Sequence, residues 1–258
     1  MSDAGFDARI ERLDITLFSS ILSQTTDADK RSLLAIQACV RESAGEYVYL
    51  EIGSYLGGSI QPHLLDTKCR KIYSIDKRQL VSPDERTEAP GYPGNSEELM
   101  LSLLAALDPQ KTTKIECIDG STKSISPSRI SDAPNLCFID GEHTREAVVA
   151  DFDFCRRVCA ENATIVFHDS QIVFRGLRSV VSKLRREGRQ FSTHALSDVV
   201  YVLCLDRSTI PARLAKLSSV TREDDLWSRR NDLRLLKWRA LAFKARASNL
   251  GTRLLGRN

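Results

Sequence analysis

Tyr47 to Ser59 reads Tyr-Val-Tyr-Leu-Glu-Ile-Gly-Ser-Tyr-Leu-Gly-Gly-Ser. Its first six residues are rich in aromatic and β-branched side chains and stop at a glycine, the signature of a short buried strand. The glycines at 53, 57 and 58 then allow a tight turn and let a ligand come close to the backbone. A tight strand-to-helix turn alone would also use them. Similar short apolar runs recur at Lys71 to Ile75, Thr113 to Ile118, Leu136 to Ile139, Thr164 to Phe167, Phe191 to Leu196 and Val199 to Leu205. Segments of helical character lie between them, at Ser96 to Leu107, Thr144 to Cys159 and Arg178 to Glu187. Ile10 to Leu22 and Asp27 to Glu42 read as helices ahead of the first strand. Alternation of this kind predicts a doubly wound α/β domain, a parallel sheet with helices on both faces. The last two runs read as a hairpin turning at Ser197-Asp198.

In such a sheet ligands bind where strands end and helices begin, so the strand ends are where the chemistry is sought. Glu51 to Ser59 is the first, with an acid, one residue, a glycine, three residues and Gly-Gly; this is not the dinucleotide pattern G-x-G-x-x-G. The second strand ends in Ser74-Ile75-Asp76, a carboxylate suited to both hydroxyls of a ribose. The third ends in Ile118-Asp119-Gly120-Ser121, suited to the edge of an adenine. The fourth ends in Phe138-Ile139-Asp140-Gly141-Glu142-His143, with Asp151 following in the next helix, and the fifth in Val166-Phe167-His168-Asp169-Ser170. Carboxylates at two neighbouring strand tips, Asp140 and Asp169, would face one point, and hard oxygens with one imidazole suit Mg2+ or Mn2+.

From Asp27 to Leu205 the chain resembles the class I S-adenosylmethionine-dependent methyltransferases, whose first motif is an acid followed by G-x-x-x-G. The resemblance implies a Rossmann-like methyltransferase fold, with a seven-stranded, mostly parallel sheet and an antiparallel last strand. It also implies that Gly53, Ser54, Gly57 and Ser59 line the methionine part of S-adenosylmethionine and that Glu51 organises that loop. Asp76 would then bind the ribose, Asp119, Gly120 and Ser121 would border the adenine, and Asp140 would touch the cofactor as well.

The fourth and fifth strand ends look like those of the metal-dependent O-methyltransferases. In the catechol type a lysine base follows the fourth-strand Asp by three residues, and the fifth strand ends in Asp-Asn. Here His143 stands in the lysine's place and His168-Asp169 replaces Asp-Asn. The I-D-G-x-H form is closer to methyltransferases of sugar hydroxyls. The resemblance therefore implies His143 as base, Asp140, His168 and Asp169 as metal ligands, and a saccharide or small-molecule hydroxyl as acceptor, in a glycoside, polysaccharide or natural product. Two other functions stay open: methylation of a catechol-like phenol, and a cofactor-binding module without catalysis. His143 packing on the following helix, and His168-Asp169 bonding only loop backbone, are the structural alternatives at the site. His63 and His194 have no companions in sequence and read as structural. Arg175 and Arg178 follow the fifth strand and could meet an anionic or sugar substrate or simply start a solvated helix.

The chain of 258 residues is 42% hydrophobic and 28% charged, ordinary for one globular domain with an appendage. Its formal net charge is +3. Only one acid but nine basic residues follow Leu226, so the body is mildly acidic and the tail strongly basic. An acidic body argues against nucleic acid as partner. Seven cysteines without a C-x-x-C pair fit a reducing cytosol, and Cys155 and Cys159 are spaced as neighbours on a helix. The N-terminus lacks the basic-then-apolar order of a signal peptide, and no apolar run reaches about 18 residues, so a cytoplasmic protein is expected. Val81 to Asn95, with three prolines and two glycines, reads as a loop beside the site.

From Leu233 the sequence places Leu236, Ala240, Phe243, Ala247, Leu250 and Leu254 at alternating spacings of three and four, an amphipathic basic helix. Packing on the body or pairing in a homo-oligomer, contact with a membrane surface, and binding of a polyanion are its three readings. The expected organisation is 1–45 N-terminal helices, 46–210 the methyltransferase-like core and 211–258 the basic helical segment.

Overall fold

The computed structural model describes residues 3–86, 91–196, 199–205, 214 and 226–255, with side chains described to Ala245 in the last stretch. Seven strands form one sheet: β1 (Tyr47–Ile52), β2 (Cys69–Asp76), β3 (Ile115–Asp119), β4 (Leu136–Ile139), β5 (Thr164–Phe167), β6 (Phe191–Ala195) and β7 (Tyr201–Leu205). Their order is β3-β2-β1-β4-β5-β7-β6. The first five are parallel, and β7 runs antiparallel to both β5 and β6. The fold expected from the sequence is the fold observed. The hairpin turn itself, Ser197-Asp198, lies outside the described residues.

Period-two alternation in β1 divides the core. Val48, Leu50 and Ile52 face one layer, with Phe152 and Cys155 of α5 (Arg145–Val158) and Phe174, Leu177 and Val181 of α6 (Ser170–Arg186). Tyr47 and Tyr49 face the other, with Ile36 and Val40 of α2 (Asp27–Ala44), Leu64 of α3 (Gln61–Leu65) and Met100 and Leu104 of α4 (Glu97–Leu107). Ile52 pairs with Ile75 and Ile139, and Ile139 with Phe167, so four strands end at one level. The order reverses between β1 and β4, which opens the crevice that α/β sheets use for ligands.

Two helix readings are corrected. The expected helix from Ile10 to Leu22 is two elements, α1 (Asp3–Glu11) and a 3-10 turn (Ile15–Phe18). Leu13 at φ 52° breaks the first, and Asp14, accepting from the Thr16 amide at 3.0 Å, caps the second. Helix α6 begins at Ser170, eight residues before the expected start. Gly176 lowers helical propensity in that stretch, but a Cβ there would sit 2.9 Å from Val148, so the glycine serves close packing of α6 on α5.

The expected last helix is present as α7 (Arg229–Leu255), and its rotation is what the structure adds. Leu235, Trp238 and Ala242 turn to the body, whereas the row recognised by spacing, Leu233, Leu236 and Phe243, is exposed. Specific polar contacts set that rotation. Arg178 holds Asp232 at 3.1 Å and the Leu226 carbonyl, and Arg239 donates to the Glu85 carbonyl at 2.9 Å and to its carboxylate at 2.7 Å. Arg178 is therefore an anchor for α7. None of the seven cysteines is joined in a disulfide, and Cys137 and Cys155 lie in the core. Among the described residues no helix is long and apolar enough to cross a membrane.

Glu51 lies fully buried on β1, accepting from Tyr49 Oη at 2.6 Å and Ser59 Oγ at 2.7 Å. It thereby ties the glycine loop to the strand. Burial, with the nearby charges of Asp140 and Asp76, raises its pKa to about 7 against the pull of those two hydroxyls. Between the ordinary glutamate range and that value the folded state keeps a proton that the unfolded chain has released, so stability falls as pH rises through this window. Glu51→Gln, neutral throughout, is expected to match the wild type near pH 4 and to exceed it by up to about 3 kcal/mol at pH 8. Thermal melts of both proteins across that range check this; a constant difference at every pH would refute it.

Candidate active site

Two adjoining cavities open at the carboxyl ends of the strands. The first, about 630 Å³ including its open mouth, is bordered by Gly53, Asp76, Gly120, Ser121, Asp140 and Asp151. The second, about 860 Å³, is bordered by Asp29, Ser54, Ser59, His143, His168 and Asp169. Gly53, Tyr55, Tyr92 and Asp140 belong to both and form the waist between them.

Gly53 fixes the first cavity's floor. Its φ is 89°, and a Cβ would lie 2.3 Å from the Asp140 carbonyl oxygen, so β1 and β4 meet here without room for a side chain. Asp76 accepts from the Tyr55 amide at 2.9 Å and the Arg78 amide at 2.7 Å, and Asn95 donates to it at 3.3 Å. These bonds hold the carboxylate still while it lines the cavity. Asp119 does not line it: its side chain turns to Arg78 Nε at 3.0 Å, leaving Gly120 and Ser121 at the border. Gly57 is likewise behind the cavity, against Leu104 and Met100. Opposite, Thr122 donates to Asp151 at 2.5 Å, and burial raises the Asp151 pKa to about 6. Lys77 pairs with Glu142 at 2.6 Å on the rim.

In the second cavity the tips of β4 and β5 bring three groups together. One donor atom each from Asp140, His143 and Asp169 lies within 4.8 Å of the others. His143 Nε2 is 3.2 Å from Asp169 and 3.8 Å from Asp140, yet it is buried with no hydrogen bond of acceptable geometry. Its Nδ1 is 3.2 Å from Asp84. Burial opposes a charge on His143, but the surrounding carboxylates of Asp140, Asp84 and Asp169 outweigh it and raise its pKa to about 9. Burial alone would raise the Asp140 pKa, but His168 and His143 hold it well below the usual carboxylate range. Asp169 itself caps α6 in a left-handed conformation, φ 50°, which turns its carboxylate toward the group.

His168 stands behind this group. Its Nδ1 is 3.1 Å from Asp140 and its Nε2 3.6 Å from Asp29, itself fully buried. It therefore braces Asp140, and the converging donors include His143 in its stead. His63 is structural: it stacks on Tyr49 at 3.7 Å and bonds Tyr47 Oη at 2.9 Å.

Sequence reasoning missed Asp84 and Asp29. Asp29 is visible in sequence only as a helix-start acid, three residues after the N-cap Thr26. Asp84 sits in the proline-rich loop, where no spacing marks it. The described parts of that loop are tied to the site: the Glu85 amide donates to the His143 carbonyl at 2.9 Å, and Tyr55 Oη to the Pro93 carbonyl at 2.9 Å. Residues 87–90 of it lie outside the described residues.

Comparison with known proteins bears on the domain and its fold. Residues 50–170 match the family model of a methyltransferase domain. That stretch, from β1 to the start of α6, is similar to a methyltransferase domain. The O-methyltransferase NovP superposes on 79% of this chain and 99% of its own with a TM-score of 0.56 at 15% identity. CalS11, the calicheamicin methyltransferase, does so on 79% and 94% with 0.50 at 13%, and cofactor-bound Rv0187 from MTB on 78% and 88% with 0.51 at 14%. At these identities the likeness is one of fold. No curated protein matches the sequence.

The residues fit the groups that this domain implies. Gly53 lets β1 and β4 close beneath the first cavity, and Asp76 is held fixed at its wall, an arrangement that fits a nucleoside. The buried Nε2 of His143, orphaned between two carboxylates, fits a divalent cation or a proton to be moved.

Proposed function

We propose that the chain is an S-adenosylmethionine-dependent O-methyltransferase, assisted by a divalent cation, acting on a sugar hydroxyl of a glycoside, polysaccharide or natural product. The observation that carries the reading is Asp140, which borders both cavities and stands among the converging donors. The I-D-G-x-H motif supports a sugar acceptor, and the O-methyltransferase NovP supports transfer to oxygen.

S-adenosylmethionine supplies an activated sulfonium methyl, and Mg2+ or Mn2+ supplies a charge that holds an acceptor hydroxyl and lowers its pKa. Asp140 and Asp169 would hold the cation, with His168 bracing Asp140 from behind. Asp84 orients His143 through Nδ1 and leaves Nε2 facing the acceptor side. The surrounding carboxylates alone keep this imidazole protonated, so with their charge offset by a cation on Asp140 and Asp169, Nε2 would be free to take the hydroxyl proton. Gly53, Ser54 and Ser59 shape the donor's methionine end, Asp76 its ribose, and Gly120 and Ser121 its base. Tyr55 and Tyr92 at the waist keep donor and acceptor apart except at the reacting atoms. Most of the acceleration comes from this positioning.

The test is transfer of labelled methyl to a panel of acceptors with and without a chelator. Label entering a saccharide, lost with chelator and restored by Mg2+ or Mn2+, is expected. Full activity in chelator removes the cation from the reading, and turnover of dihydroxyaromatics alone replaces the sugar by a phenol.

Asp84→Asn keeps the loop's shape and removes the charge that orients His143. It is expected to lower kcat about 10- to 100-fold with S-adenosylhomocysteine binding unchanged by calorimetry. An unchanged kcat would detach Asp84 from the reaction.

A further inference from the structure

Helix α7 carries two rows of apolar side chains, and the body uses one. Leu235 and Ala242 are buried against it, whereas Leu233, Leu236 and Phe243 are 65%, 59% and 75% exposed. In sequence the exposed row runs on through Ala240, Ala247, Leu250 and Leu254, while the body-facing row turns polar at Arg246 and Arg253.

The charge around the exposed row argues for one occupant. Arg229, Arg230, Lys237 and Lys244 are exposed beside it. The only acid after Leu226, Asp232, is held by Arg178. A second cationic surface adjoins the base of the helix: Arg145, Arg175, Arg178 and Arg186 line an open cleft of about 790 Å³ with the ring of Trp227, itself 44% exposed. A second copy of α7 would set lysine and arginine against lysine and arginine with no acids to cross-pair. An apolar row flanked by cations, with an exposed tryptophan, instead complements the boundary of an anionic bilayer.

We infer that α7 docks this protein on an anionic lipid surface, Leu233, Leu236 and Phe243 entering the headgroup boundary while the flanking arginines and lysines meet lipid phosphates. Arg239 on the same helix binds Glu85, the neighbour of Asp84, so the docking helix is fastened to the loop that orients His143.

The experiment is flotation of the full chain with vesicles of phosphatidylglycerol and phosphatidylcholine, against phosphatidylcholine alone. At least about tenfold more protein is expected on the anionic vesicles, most of it released in about 0.5 M salt. A variant with Leu233→Gln, Leu236→Gln and Phe243→Gln is expected to lose that binding about tenfold with an unchanged thermal melt. Arg230→Gln with Lys237→Gln, which alters no apolar side chain, is expected to lose several-fold. Equal binding to both vesicles, or full binding by either variant, overturns the proposal. So does a dimer in light scattering that the apolar variant dissolves while no vesicle binds, since a second copy would then cover the row.

Discussion

His143→Ala is expected to lower kcat about 100- to 10,000-fold and to leave binding of S-adenosylhomocysteine within about twofold. The imidazole borders the second cavity and not the first, so the nucleoside's contacts are intact without it. What disappears is the buried Nε2 between Asp140 and Asp169, the atom proposed to accept the hydroxyl proton, and with it the use of Asp84. His143→Gln keeps volume and a donor toward Asp84 but has no basic nitrogen, so it should be nearly as slow. The measurements are single-turnover methyl transfer and calorimetry with S-adenosylhomocysteine and with Mn2+. Loss of Mn2+ binding together with kcat would make His143 a ligand, and wild-type turnover by either variant would remove it from the chemistry.

Gly53→Ala is expected to cost about 3 kcal/mol or more, a fall of roughly 6–12 °C in Tm for a domain of this size. Two penalties add. The φ of 89° is unfavourable for any L side chain, and the new methyl would meet the Asp140 carbonyl at 2.3 Å and the Gly141 Cα at 2.6 Å. Both contacts are backbone and cannot rotate away, so β1 and β4 must part at the waist of the site. Gly188→Ala is the control: its φ is 63°, with nothing within 4 Å, and it should cost about 1 kcal/mol. The difference between the two melts measures the clash. Equal losses would show that the turn relaxes freely and that Gly53 does not set the approach of the strands. Whatever folded Gly53→Ala protein remains should bind S-adenosylhomocysteine at least tenfold more weakly, because Asp140 moves with the turn.

The sheet was legible because burial on both faces leaves a continuous apolar run, ended abruptly by polar turns. Leu136–Ile139 and Thr164–Phe167 are found at the residues where the sequence places them. Asp140, His143 and Asp169 were legible for a related reason, since parallel strands in register carry their tips to one edge. Propensity misled where packing overrules it. Gly176 concealed the first two turns of α6, because the proximity of Val148, invisible in sequence, is what requires a glycine there. His168 and His143 could not be ranked by position alone. Both follow strand tips, and only the rings' partners separate a brace on Asp140 from the histidine among the converging donors.

By itself, then, the sequence determined the alternation of strand and helix, the edge at which the chemistry gathers, and the apolar and basic character of the last helix. These follow from local periodicity, which needs no partner to be read. Tertiary structure decided that Asp84 from a distant loop holds His143, that Asp29 backs His168, and that α7 lays Leu235 rather than Leu236 on the body. Each depends on the rotation of one element against another, fixed by contacts such as Arg178 with Asp232 and Arg239 with Glu85 between residues far apart in the chain.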